Sequence, residues 1–194
     1  MKEYNFFAML SRMKYINRWG LMRNTISENI AEHSLETAII AHGLATIGNT
    51  YFGKNVDADH IAVLAMFHDT TEIITGDLPT PVKYFAPDIR EAYKEVEKTA
   101  MNQLLTALPD EMNEIYRNVL DVENGDEISL QYVKAADKIS ALIKCVEEKR
   151  MGNTDFEKAE QATLEAIHSL NMEEAEYFLE KFLPAYSLTL DEQA

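Results

Sequence analysis

Apolar residues recur at intervals of three and four along almost the whole chain, and strict apolar–polar alternation is nowhere sustained. That period belongs to the α-helix, where positions i, i+3, i+4 and i+7 share a face; its dominance leaves no half-buried sheet to organise the fold. With only 7 glycines and 5 prolines in 194 residues, long elements are expected. Phe6, Leu10 and Met13 mark a first helix ending near Asn17, and residues 18–28 read as a loop. Asn29 followed by Glu32 has the form of a capping box opening a helix to about Ile47. Asp57 is placed to cap a helix that runs through Glu72. Further helices fit at about 88–107, 109–120, 126–150, 155–170 and 172–183, with TGDLPTPVKYFAPD an irregular segment between. The expectation is an all-α bundle of about seven to nine helices in a single domain spanning residues 1–194.

Three of these helices change character along the buried face. In helix 57–72 the stripe Ile61, Leu64, Ala65 continues into His68 and then Glu72, with Asp69 about 100° further round. In helix 29–47 His33 takes the first core position of the stripe Thr37, Ile40, Leu44, Ile47. In the third, Asp137 shares a face with Leu130, Val133 and Ala141 and lies mid-helix beside two alanines, where an aspartate is a weak helix former and costly to bury unpaired. Each helix therefore aims a nitrogen or oxygen donor inward. Two imidazoles and two carboxylates, His33, His68, Asp69 and Asp137, suit a hard-to-borderline divalent ion and leave coordination positions for water and a substrate oxygen. Taken one at a time, each has a plainer reading as a hydrogen-bonded core group or an arginine partner; the joint pattern is the stronger signal. His42 and His168 are read as hydrogen-bonded core residues rather than ligands, and His60 as exposed in its first turn.

Charge limits the partners. A formal net charge of −15 opposes nucleic-acid polymers and anionic membranes, while a metal ion or a few arginines can reverse the sign locally for a small anion. No basic cluster is evident along the sequence, and Lys83 and Arg23 read as surface residues. The single cysteine, Cys145, excludes an internal disulfide, and no run approaches the roughly 18 apolar residues of a spanning helix. A short apolar cluster at the N-terminus, interrupted by Arg12 and Lys14, does not have the form of a signal peptide, so a cytoplasmic protein is expected.

The stretches EHSLETAIIAH, FHDTTEIITGDLPTPVKYF and VKAADKISALIKC, with SRMKYINRWGLMRN upstream and YFLEKFLPAYSLTLDE downstream, resemble the HD-domain superfamily of metal-dependent phosphohydrolases, and within it the bacterial 5′-deoxynucleotidases of the YfbR type. The resemblance covers essentially the whole chain. It implies an HD-domain helical bundle that hydrolyses 2′-deoxynucleoside 5′-monophosphates with one divalent ion, Co²⁺ or Mn²⁺ first and Zn²⁺, Fe²⁺, Ni²⁺ or Cu²⁺ as alternatives, in a homodimer. His33, His68, Asp69 and Asp137 match the metal ligands. Arg18 matches the residue that orients the phosphate, and Trp19 the one that lies against the sugar and excludes ribose. Asp77, Leu78, Pro79 and Thr80 match a segment lining the substrate site, and Glu72 an acidic residue tied to catalysis. Gly20 departs from the pattern, which has proline after the tryptophan; the departure bears on sugar selectivity. Several roles stay open at this stage. Glu72 either handles a proton or water, or only hydrogen-bonds Arg18. Asp77 either faces the sugar or is a turn residue after Gly76, and Trp19 is either a sugar wall or a core residue. A cyclic-nucleotide phosphodiesterase, a dNTP triphosphohydrolase and a non-catalytic helical module are the rival functions.

Overall fold

The computed structural model describes residues 3–83, 85–121 and 126–193, with Thr80 described for its backbone alone. Helices follow one another without a strand among the described residues: α1 Phe6–Leu10, continued by a 3-10 turn Ser11–Tyr15, α2 Ile30–Tyr51, α3 Ala58–Phe67, α4 Glu72–Thr75, α5 Thr80–Lys83, α6 Pro87–Leu105, α7 Asn113–Leu120, α8 Glu127–Arg150, α9 Glu157–His168 and α10 Glu173–Lys181. The all-α expectation is met among the described residues. No helix among the described residues is long and apolar enough to cross a membrane.

The chain divides into two compact units. The first comprises Met1–Leu21, Ser27–Ser34 and Phe67–Gly125. Its core is Phe6, Met101, Leu104, Leu105, Leu108 and Leu120, which joins α1, α6 and α7, with Tyr116 and Phe67 packed against it. The Phe6 and Tyr116 rings meet edge-on at 4.8 Å, the arrangement their quadrupoles favour. The second unit comprises Met22–Ile26, Leu35–Met66 and Asp126–Ala194, and in it α8 packs along α9. Here the loop 22–26 is clasped by one buried carboxylate: Glu148, 1% exposed, accepts from the backbone N–H groups of Thr25 and Ile26, from Asn153 Nδ2 and from Lys144. Such full satisfaction is what makes a buried charge tolerable.

Local chemistry sets the helix boundaries. The capping box at α2 forms as expected: Asn29 Oδ1 accepts from the N–H groups of Ala31 and Glu32 at 3.0 and 3.1 Å, and Glu32 Oε2 accepts from Asn29 N at 3.2 Å. The helix then continues to Tyr51 rather than ending at Ile47. Asp57 caps α3 through His60 N at 2.9 Å. The expected helix through Glu72 does not form, because α3 stops at Phe67. The buried Thr70 takes the Phe67 carbonyl with both its N–H (3.1 Å) and its Oγ1 (2.7 Å). A threonine hydroxyl competing for that acceptor replaces the i→i−4 ladder with tighter turns, and Glu72 begins the separate short helix α4.

Candidate functional site

His33 enters the site from the first turn of α2, one turn past the cap, and is fully buried. His68 and Asp69 enter from the turn that ends α3. Asp69 Oδ2 lies 3.5 Å from His33 Nε2 and 3.2 Å from His68 Nε2, and one donor atom from each of the three residues falls within 4.8 Å of the others. Two ligands on one ion with bonds of about 2.1 Å are separated by roughly 3.0–3.4 Å at tetrahedral to octahedral angles, so the spacing and the N, N, O chemistry fit a divalent ion. Asp137 lies mid-helix on α8 in the second unit and is half-buried. Two of the predicted faces are buried as read, Thr37, Ile40, Leu44 and Ile47 on α2 and Ile61, Leu64 and Ala65 on α3; on α8 Val133 is buried and Leu130 and Ala141 are half-buried. His42 and His168 are not core residues as expected: both are half-exposed, paired with Asp59 and Glu176, while His60 is exposed as read.

Arg18 and Trp19 sit on the 17–29 loop, closed at its base by an antiparallel bridge between Asn17 and Asn29 and by Arg18 N donating to Glu28 O at 2.9 Å. Arg18 Nη1 lies 3.3 Å from Asp69 Oδ2 and its Nε 3.2 Å from Glu28 Oε2. Trp19 is half-buried, so it is no core residue, and its φ of +59° is a left-handed conformation that costs a bulky side chain free energy. Two bonds oppose that cost. The indole Nε1 donates to Glu28 Oε2 at 2.8 Å, and the Trp19 backbone N–H donates to the carboxylate of Asp77. Asp77 therefore reaches the loop rather than serving only as a turn residue after Gly76, whose φ of +74° and ψ of +163° are accessible to glycine almost alone. Sequence reading missed Glu28. The available signal was an acidic residue immediately before the Asn29 cap, across a closed loop from Arg18–Trp19.

Glu72 is 7% exposed, and its Oε2 has no hydrogen-bond partner among the described residues. Burial first, and then the negative charges of Asp69 and Asp77, push its carboxyl up to about 9, against the opposing pull of Arg18 and Lys83. Burial also acts to raise Asp69, but His68, His33 and Arg18 outweigh it and hold that carboxyl far below the usual range. Two carboxyl groups three residues apart thus take opposite protonation states, which marks a functional site more often than a structural one.

Beside His68 and Asp69 a cavity of about 430 Å³ opens against α6, within the range of small-molecule sites. Lys83, Arg90, Lys94 and Lys98 contribute to its walls, alongside Tyr93 and the acidic Glu95, Glu97 and Asp121. The expectation of no basic cluster is corrected here: Arg90, Lys94 and Lys98, spaced by four, form one stripe hidden in the sequence by interleaved acids. Lys83 is part-buried and paired with Glu97 at 3.1 Å, not a bare surface residue, whereas Arg23 is exposed as read. Leu78 and Pro79 are half-buried ahead of α5; the Thr80 side chain lies outside the described residues.

Comparison with known proteins identifies the family. The family described as 5′-deoxynucleotidase YfbR-like matches residues 5–186. The 5′-deoxynucleotidase YfbR of Shigella boydii serotype 18 is 48% identical over 195 residues, 99% of this chain and 96% of that protein, and the one from Salmonella arizonae is 46% identical over 192 residues at the same coverage. Among solved structures, an HD-domain phosphohydrolase from Listeria innocua superposes with a TM-score of 0.83 at 25% identity, covering 97% of this chain and 91% of that one. The cyanophage S-2L HD phosphohydrolase DatZ, bound to dA and one catalytic Zn²⁺ ion, shares the fold with a TM-score of 0.65 at 18% identity, covering 91% and 95%. This chain belongs to the YfbR-like 5′-deoxynucleotidase family.

Proposed function

We propose that this protein is a metal-dependent 5′-deoxynucleotidase that hydrolyses 2′-deoxynucleoside 5′-monophosphates to deoxynucleoside and phosphate. The observation that carries the reading is Asp69 held at ion-sharing distance from His33 and His68, with a cationic arginine on one side and the buried, proton-holding Glu72 nearby.

His33, His68 and Asp69 would hold the ion, and the family resemblance assigns Asp137 as the fourth ligand. The N and O donor set suits a hard-to-borderline divalent ion, and the family resemblance implies Co²⁺ or Mn²⁺ first, with Zn²⁺, Fe²⁺, Ni²⁺ or Cu²⁺ as alternatives. When bound, the ion polarises a phosphoryl oxygen and lowers the pKa of an attacking water. Arg18 presents its guanidinium to the phosphate oxygens, and its tie to Asp69 keeps it beside the reacting phosphorus. Trp19 packs against the deoxyribose and leaves no room for a 2′-hydroxyl. Asp77 accepts from the sugar 3′-hydroxyl, while Leu78, Pro79 and Thr80 line the same wall. Glu72 carries a proton on its buried carboxyl and would deliver it to the departing 5′-oxygen. No residue assigned here reads the base, so several bases are accepted. The protein acts in the cytoplasm, as a homodimer and a single functional HD-type domain.

The α6 stripe gives the triphosphohydrolase reading its one support. Release of phosphate, pyrophosphate or triphosphate from a nucleotide panel separates the two. The central test is a metal screen with dAMP, TMP and AMP, with and without chelator. Metal-dependent phosphate release from dAMP and TMP but not AMP is expected, and no phosphate release from any nucleotide with any metal refutes the reading.

A further inference from the structure

Glu28 makes more contacts to proposed site residues than any assigned function explains. Its Oε2 lies 2.8 Å from Trp19 Nε1 and 3.2 Å from Arg18 Nε, its Oε1 lies 3.9 Å from His33 Nδ1, and its main-chain oxygen accepts from Arg18 N. The carboxylate is only 13% exposed. A buried anion is retained where its neighbours satisfy it, and here the neighbours are the phosphate arginine, the sugar tryptophan and the far nitrogen of a metal-facing imidazole.

We infer that Glu28 is the positioning residue that locks Arg18 and Trp19 into one rigid unit facing Asp69, and so couples phosphate orientation to sugar choice. The inference rests on the proposed nucleotidase reading for its catalytic consequence, but not for its structural one. Trp19 holds an uncommon positive φ, and a strained conformation persists only where surrounding contacts over-determine it. Glu28 supplies one of those contacts at the indole end. It also lies 3.2 Å from the Nε edge of the Arg18 guanidinium, an ion pair without hydrogen-bond alignment, while Nη1 faces Asp69. A single carboxylate oxygen shared by indole and guanidinium makes the two side chains move together. Orientation of this kind by residues behind the contacting groups is worth tens to hundreds of fold in comparable sites.

The test compares Glu28→Gln and Glu28→Ala with the parent protein. Trp19 is the chain's only tryptophan, so its emission and anisotropy report the indole directly, without reference to turnover. Glu28→Ala is expected to shift Trp19 emission to the red, lower its anisotropy and reduce the dAMP-to-AMP turnover ratio by roughly tenfold, the scale of one lost charge-assisted bond. Glu28→Gln keeps an acceptor for the indole and loses the charge facing Arg18. Its fluorescence should stay near the parent's while KM for dAMP rises roughly tenfold with a smaller change in kcat. Parent-like fluorescence together with a parent-like sugar ratio in Glu28→Ala overturns the inference. If Glu28→Ala does not fold, an unchanged KM in Glu28→Gln does the same. Should the parent itself release no phosphate from any nucleotide, the functional reading fails, and the fluorescence of the two variants still decides the positioning role.

Discussion

Asp69 Oδ2 lies 3.5 Å from Nε2 of His33, which is fully buried at the start of a different helix. With the 3.2 Å separation from His68, these donor atoms have the spacing that a shared divalent ion requires. Asp69→Asn is expected to abolish stoichiometric metal and to lower kcat/KM at least a hundredfold. Asp137→Asn should behave alike if it is the fourth ligand. Elemental analysis after dialysis, beside phosphate release, checks both; full metal content with full activity in Asp137→Asn removes it from the ligand set.

Glu72 predicts a pH dependence of stability. Its carboxyl is raised from an ordinary value of 4.5 to about 9, so the folded chain holds a proton there that the unfolded chain has released. Stability must therefore fall as pH rises from about 4.5 to about 9, since protons are bound more in the native state. In chelator, Glu72→Gln replaces the group by one with no proton to lose. Its melting temperature is expected to exceed the parent's at pH 8.5 and to approach it at pH 5. Activity should move the opposite way, dropping by about a hundredfold or more, the usual contribution of a positioned acid or base. A parent melting temperature that does not fall between pH 5 and 8.5 contradicts the assignment.

Trp19 sets the third expectation. Trp19→Ala removes the wall against C2′ and should admit AMP while leaving metal content unchanged, and the ratio of dAMP to AMP turnover measures this. The neighbouring Gly20 has no heavy atom within 4 Å of where a Cβ would sit. Gly20→Ala should therefore fold normally and tighten the ratio by stiffening the loop. A ratio untouched by Trp19→Ala is incompatible with exclusion by the ring.

The parts of this site that were legible in the sequence are those set by local rules. The Asn29–Glu32 cap and the stripe from His33 to Ile47 involve residues within a few turns of each other, where period and capping chemistry act directly. The break at Phe67 was not legible, because it depends on which acceptor the Thr70 hydroxyl takes, and an apolar run followed by threonines reads equally well as a continuing helix. Glu28 was missed for a different reason: its partners lie nine and ten residues earlier, across a loop whose closure no periodic pattern encodes. The α6 stripe was masked by Glu91, Glu95 and Glu97, which make the helix look like an ordinary charge-laced surface.

That stripe lends itself to a charge test. Lys94 and Lys98 are exposed and line the cavity beside His68, so they act on the substrate through long-range attraction rather than buried contact. Lys94→Glu with Lys98→Glu is expected to raise KM for dAMP about three- to tenfold at low salt with little change in kcat, and the effect should shrink at 0.5 M salt. An increase that persists unchanged at high salt points to disturbed structure instead.

Gly48 offers the last prediction, and it turns on which of two opposed effects is larger. Within a helix such as α2, replacing glycine by alanine ordinarily gains up to about 1 kcal/mol of backbone propensity. At Gly48, however, a Cβ would meet Glu174 Oε1 and the Tyr132 hydroxyl at 2.7 Å each. Those two atoms cannot easily retreat. Tyr132 donates to Glu174 at 2.6 Å in a buried bond, and burial together with that bond and the adjacent negative charge raises the phenol pKa, keeping the donor protonated. Moving Glu174 leaves a buried carboxylate short of its partner, at a cost of about 1–3 kcal/mol, and overpacking adds a similar amount. The clash wins, so Gly48→Ala should lower stability by roughly 1–3 kcal/mol in denaturant unfolding. Tyr132→Phe removes one of the two obstructing atoms, and combined with Gly48→Ala it should cost less than the sum of the separate changes. Strict additivity of the pair would mean that the hydroxyl is not what excludes a side chain at position 48.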